Sequence, residues 1–214
     1  MSDPFELPMF PLGSVLLPGE VLPLHVFEPR YRTMIGHCLT AVAAQYGAAS
    51  FGVVLIERGH EVGGGDQRFD VGVAATILRV EDTPQGTLRV LAIGTRRLRV
   101  AAWLDDAPFP RASVSWWDDE DAEVGESPGA DQLQAFAQRV RRVRAAAIEL
   151  GDIPGHAAAA LSDDSQQWEA EIPSLLPIGS LDRYRLLSAP SSKLRWQLVD
   201  ELLSEIELVQ GLRL

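Results

Sequence analysis

Apolar and polar positions change rhythm twice within the first forty residues. Residues 7–17, LPMFPLGSVLL, are apolar almost throughout and stop at Pro18-Gly19, a pair that favours a turn. Residues 21–27, VLPLHVF, form a second apolar run. Its continuity predicts a strand covered on both faces, as in a barrel or beneath a helix. At Glu28-Pro29 the period becomes helical. Pro29 suits the first helical position, where no N–H is needed, and Glu28 sets negative charge at the positive end of the helix dipole. Tyr31, Met34, Ile35, Cys38, Leu39 and Val42 then recur at i, i+3, i+4 spacing and predict one buried stripe. Arg30 and Arg32 fall off that stripe and are expected to face outward. Gly47 is placed to end the helix.

The strand rhythm resumes with residues 51–56, FGVVLI. Residues 58–67 contain Gly63-Gly64-Gly65 and predict a loop. Residues 71–80 and 87–94 predict two strands joined through Asp82-Thr83-Pro84-Gln85-Gly86. Gly94 marks a bulge or bend, after which Leu98 and Val100 are expected inside and Arg97 and Arg99 outside. Ala112, Val114 and Trp116 alternate with Ser113, Ser115 and Trp117 in a last strand. Residues 1–118 therefore predict a β-rich domain with one helix. The next stretch, DDEDAEVGESPG, is acidic and broken by Gly and Pro, so 119–130 predicts a solvated linker. From 131 to 214 the period is helical. Asp131 and Gln134 match a capping box. Leu133, Phe136, Ala137, Val140, Val143, Ala147 and Ile148 make the first stripe, ended by Gly151, Pro154 and Gly155. Shorter segments follow at 157–161, 166–175 and 181–188. Ser191 or Ser192 caps a final helix whose stripe is expected at Leu194, Leu198, Leu202, Ile206 and Val209. The class is α+β, with a C-terminal helical bundle.

Composition narrows the chemistry. A chain of 214 residues, 46% of them apolar, can bury a substantial core. No apolar run reaches membrane-helix length, and MSDPFE lacks the shape of a signal peptide. Cys38 is the only cysteine, so no internal disulfide forms; the cytoplasm is the expected compartment. The net charge of −11 opposes nucleic-acid binding. The basic residues are eighteen Arg and one Lys, Lys193. A phosphate-binding GxxxxGK[ST] loop needs its Lys, and Lys193 follows Pro190-Ser191-Ser192 with no glycine before it. A Ser–Lys dyad would also have to use Lys193, at the start of a helix. There is no GxSxG elbow. His60-Glu61 opens like HExxH, but position 64 is Gly. His37-Cys38 reads as a core thiol beside a partly exposed ring rather than a metal site. His25 reads as a core or cleft histidine rather than a catalyst. No enzyme activity, metal or cofactor is expected.

One stretch carries a family likeness. FPLGSVLLPGEVLPLHVFEPRYRTMI resembles the opening of the Lon substrate-binding domain family. That family comprises the N-terminal domains of Lon proteases, a related domain in cereblon, and free-standing bacterial proteins. DVGVAATI followed by GTLRVLAIGTRRL resembles the family's second block, and Leu175-Leu176-Pro177-Ile178 with Arg185-Leu186-Leu187 resembles a third. The resemblance implies a PUA-like β pseudo-barrel before the helical bundle. It also implies non-catalytic recognition of unfolded or tagged polypeptide, or of a protease or chaperone partner, in a free-standing member that acts as adaptor or holder.

Glu28-Pro29-Arg30-Tyr31-Arg32 is the most function-like cluster. Helix capping and an Arg–carboxylate pair would account for it without a ligand. A rigid aromatic among charges would equally suit a peptide. The peptide-binding residues expected are His25, Phe27, Glu28, Arg30 and Tyr31, with Trp103 as a wall, along the seam between the two halves. A small-ligand regulatory module is the alternative, and RNA binding would require a basic surface from Arg96, Arg97 and Arg99. The five tryptophans are expected in the core or as inter-domain anchors. Arg139, Arg141, Arg142 and Arg144 are expected on a solvated helix face, answering the acidic linker.

Overall fold

The computed structural model describes residues 3–41, 48–59, 67–120, 130–154, 161–162 and 168–213. Val42, Gly47, His60, Glu61, Gly63-Gly64-Gly65, residues 121–129 of the expected linker, Gly155 and the segment at 157–160 lie outside them. The chain divides into two compact units, Met1–Asp118 and Asp119–Leu214. The first contains β1 (Phe5–Leu12), β2 (Val21–Val26), α1 (Pro29–Ala41), β3 (Ser50–Arg58), β4 (Gln67–Asp82), β5 (Leu88–Trp103) and β6 (Arg111–Trp116). The second contains α2 (Ala130–Glu149), α3 (Trp168–Leu175), α4 (Ser180–Leu187) and α5 (Ser192–Arg213).

The six strands follow the order β2-β5-β4-β3-β1-β6, with β6 also pairing to β5. The sheet thus closes on itself as a barrel-like ring of β5, β4, β3, β1 and β6, and β2 is attached outside the ring. Two strands change partner midway. The first half of β1 pairs antiparallel with β6, Phe5 opposite Val114, while the second half pairs parallel with β3, Met9 opposite Gly52. The first half of β5 pairs with β2, Val21 opposite Ile93, and the second half pairs with β6, Leu98 opposite Trp116. β4 follows β5 from Leu88 to Arg99, and their register slips between Ala74 and Ala75, opposite Gly94 to Arg96. This is the bulge expected at Gly94. It bends β5 where it leaves β2 for β6.

The ring is filled by Leu7, Met9, Val54, Ala74, Leu98, Ala112 and Val114, which form one buried cluster. α1 contributes Tyr31, Met34, Ile35 and Cys38 as the stripe requires, but Leu39 is 46% exposed. Its i+4 relation to Ile35 turns it past the edge of the buried arc. Arg97 lies on the outer face as expected but is covered there. It is 8% exposed, with its guanidinium 4.5 Å from the centre of the Trp117 ring, while Arg99 lies 4.1 Å from the same ring. Leu98 and Val100 still take the inner face, and Arg97 is buried because the Trp117 ring covers it on the outer one. Arg96 sits against Trp116 and forks onto Asp118 at 2.6–2.9 Å, holding the Asp118 carboxyl below the usual carboxylate range.

In the helical unit, Val140, Val143 and Ala147 of α2 are buried as expected. Trp168 is buried and donates its indole N–H to the Ser162 carbonyl at 2.8 Å. Trp196 meets Phe136 edge-on at 5.1 Å. Leu198, Leu202 and Ile206 of the expected α5 stripe pack in the helical core, but the buried arc is turned from its two ends. Val199, Leu202, Leu203 and Gln210 are buried, whereas Leu194 and Val209 are 41% and 53% exposed. Leucines lie on both sides of this helix, so spacing alone admits two phases. Arg139 of α2 is met by Asp200, Ser204 and Glu207 of α5, so its answer is a neighbouring helix rather than the acidic stretch. Asp119 forks onto Arg195 of α5 at 2.6–2.7 Å, and the Glu120 N–H donates to the Pro190 carbonyl. The first two residues of the expected linker are therefore held by the helical unit.

Candidate functional site

The expected doubly covered strand is covered on one face only. Along β2, Val21, Pro23 and His25 are exposed while Val26 is buried. Among the described residues β2 has a single neighbour, β5, so its other edge is open. Register aligns its outward residues with those of β5 and β4 in two rows. Pro23 lies opposite Leu91, which lies opposite Arg79; His25 lies opposite Arg89, which lies opposite Glu81. The rows line a shallow groove of about 420 Å³ with an apolar bed of Pro23, Leu24, Val90 and Leu91. Large apolar side chains continue this surface: Val21 is 56%, Phe27 53% and Leu91 37% exposed. Leu78 on β4 is 55% exposed because a second register slip between Ile77 and Arg79 leaves it outside the ladder. Arg79 pairs with Glu81, and Arg89 and His25 complete a rim in which cationic groups outnumber the one carboxylate.

The expected peptide-binding residues separate into three groups. His25 and Phe27 are on this surface, their ring centres 6.2 Å apart. His25 Nε2 lies 2.7 Å from Thr87 Oγ1, and Thr87 Oγ1 lies 2.7 Å from Thr83 Oγ1, which ties the ring to the β4–β5 turn. Glu28 and Arg30 are engaged locally. The Glu28 carbonyl accepts the Arg32 N–H, which makes it the helix cap, and its carboxylate is 3.0 Å from Arg30 Nε. Tyr31 is the correction. It is 4% exposed and stacked on Phe10 at 4.0 Å and 9°, with the Arg30 guanidinium 4.5 Å from its ring centre. It fastens α1 to β1 and cannot be an exposed anchor. Trp103 carries the Arg68 guanidinium 4.5 Å from its ring centre, and Arg68 forks onto Asp106 at 2.6–3.1 Å. It belongs to the β6-paired end of β5, whereas the groove lies along the β2-paired end.

Sequence reasoning missed the β4 and β5 side of the groove. A signal existed: Arg89 and Leu91 alternate with Val90 and Ala92, and an outward leucine between charged neighbours is a surface feature. Among the described residues no group of His, Cys, Asp and Glu is placed to hold a metal ion. His37 packs against Phe109 at 5.4 Å, and Cys38 is buried. Burial pushes the Cys38 thiol up to about 12. The thiolate is the reactive form, so iodoacetamide at pH 8 should leave Cys38 unlabelled in the native protein and label it fully in denaturant. Mass spectrometry reads both states, and native labelling at the denatured rate would contradict the burial.

A barrel-like β-unit with an apolar face along its edge strand is thus followed in sequence by a helical unit. The chain belongs to the Lon substrate-binding domain family: the model for the ATP-dependent protease La (LON) substrate-binding domain matches residues 6–205. Lon protease 2 of Herpetosiphon aurantiacus is 37% identical over 112 residues, covering 51% of this chain and 13% of the relative. Lon protease of Escherichia coli K12 is 25% identical over 218 residues, covering 98% of this chain and 26% of the relative. The chain thus spans about a quarter or less of these curated relatives. Among solved structures, the Lon N-terminal domain protein from Xanthomonas campestris superposes with a TM-score of 0.60 at 27% identity, covering 94% of this chain and 98% of that one. Among the described residues no helix is long and apolar enough to cross a membrane.

Proposed function

We propose that this chain binds unfolded polypeptide without catalysis, in the cytoplasm, as a holder or adaptor, and that the polypeptide lies along β2 and the groove beside it. The observation that carries this is that Val21, Phe27 and Leu91, each more than a third exposed, lie on the open-edged β2, just after it, and on β5 beside it. An open edge offers main-chain groups to any extended segment, and alternating apolar contacts admit many sequences. A strand the length of β2 spans about 20 Å, enough for a six-residue segment. Pro23 within it removes one donor, which moderates edge-to-edge pairing with other copies. Membership of the substrate-binding family supports the same reading.

The groove is open and shallow, and this favours polypeptide over a small ligand. RNA is disfavoured because Arg96 and Arg97 are engaged with Asp118 and the Trp116 and Trp117 rings.

The test is capture of a reduced, alkylated model polypeptide by purified protein. Phe27→Ser with Leu91→Ser should weaken capture about tenfold while lowering the melting temperature only a little, since both side chains are more than a third exposed. Tyr31→Ala should do the reverse, lowering stability by about 3 kcal/mol with capture intact in the folded fraction. Undiminished capture by the folded double variant would remove the site from this face.

A further inference from the structure

The helical unit has a cavity of its own, of about 650 Å³. Its bed is apolar, with Ile178, Ile206 and Val209 over the buried Leu176 and Leu202. Its rim carries Asp152, Asp182 and Glu205, and among the described residues no Lys, Arg or His lines it. Gly179, the cap of α4, also borders it, and Asp182 in the first turn offsets the positive end of that helix. Asp182 also bonds Arg185 at 3.1 Å, so it shares its charge. Val209 is 53% exposed, a poor place for a valine on a helix with a polar face to spare.

We propose that this groove docks a cationic amphipathic helix of a partner polypeptide. Apolar residues three and four apart would fill the bed, and Lys or Arg beside them would meet the carboxylates on the rim. The cavity accommodates a few side chains, not a whole folded surface. The chain's net charge of −11 adds a long-range attraction for a basic partner and repels a second copy. This surface lies in Asp119–Leu214, whereas the β2 groove lies in Met1–Asp118, and neither argument uses the other's residues.

The probe is a fluorescein-labelled Lys/Leu amphipathic peptide of eighteen residues or so, long enough for about five helical turns. Its counterpart keeps every Leu and replaces Lys with Glu. Fluorescence anisotropy should show binding of the Lys peptide, weakened by added salt, and none of the Glu peptide. Glu205→Lys and Val209→Asp should each weaken binding about tenfold with the melting curve unchanged. Glu57→Lys on exposed β3 alters net charge equally and should change affinity less than about twofold. Three results would overturn the proposal: equal loss with Glu57→Lys, which signifies diffuse charge attraction; equal binding of the Glu peptide; or a concentration-dependent dimer, abolished by Val209→Asp, that binds no peptide. Loss of peptide binding leaves capture of the unfolded polypeptide at β2 unaffected, so the two sites are distinguished.

Discussion

Gly94→Ala is expected to destabilise the β-unit by about 3 kcal/mol or more, equivalent to a fall of roughly 10 °C in its melting temperature. A Cβ at this position would stand 2.4 Å from the Leu17 carbonyl oxygen and 3.1 Å from a Leu16 side-chain carbon. The Leu17 oxygen is backbone and cannot rotate away. It belongs to the turn that Gly94 holds: the Gly94 N–H donates to the Glu20 carbonyl at 2.9 Å, and its own carbonyl accepts the Gly19 N–H at 2.8 Å. The Leu17 N–H in turn donates to Glu20 Oε2. Forcing the turn off β5 therefore weakens two backbone bonds, each contributing about 1 kcal/mol, besides the steric cost. Gly86→Ala provides the comparison. Its φ is +74° but nothing stands within 4 Å, so only the left-handed backbone cost of about 1 kcal/mol is expected. Thermal melting followed by tryptophan fluorescence reads both. Equal effects would show that the Leu17 contact yields.

The second large effect is expected in the helical unit. Leu203→Asp should unfold it, because Leu203 is 0% exposed in the cluster formed with Val140, Val143, Ile172, Leu175 and Leu186. A carboxylate there has no partner of opposite charge in that cluster, and the cost of several kcal/mol is comparable to the stability of a domain this size. Most of the helical circular-dichroism signal should disappear, since four of the five described helices lie in this unit. Leu194→Asp, at a position already 41% exposed, should leave the signal in place. If both variants fold equally well, the phase of α5 observed here is wrong.

These two positions also show what the sequence discloses. Gly94 was legible because a glycine between two strand-like runs has few other uses. The phase of α5 was legible only in part. Leu194, Leu198, Leu202 and Leu203 admit a stripe on either side, and only the packing of α2 and α3 selects Val199 and Leu203. In α2 the arginines mark the polar side, so Val140, Val143 and Ala147 were found without difficulty. The candidate site divides in the same way. His25 and Phe27 lie on one short segment and were legible. Leu91 reaches the same surface through register, and register follows from hydrogen bonding that no local pattern records. Tyr31 was misjudged for a related reason. It stands on the helical stripe and beside two charges at once, and its stacking on Phe10 shows that the stripe prevails.

The division of β1 between two partners bears on how the protein is made. Met9 to Leu12 can pair once β3 has been synthesised, but Phe5 to Pro8 must wait for residues 111–114. At a synthesis rate of about 5–20 residues per second that wait is on the order of 5–20 s, during which the N-terminal half of an apolar strand has no partner. Contacts this distant in sequence are also slow to form after release. Pro4, Pro8 and Pro11 are spaced through this stretch, each removing a backbone donor from any mispaired sheet. The ring cannot close before its last strand leaves the ribosome, and a chain interrupted before Val114 would expose the strand that opens it.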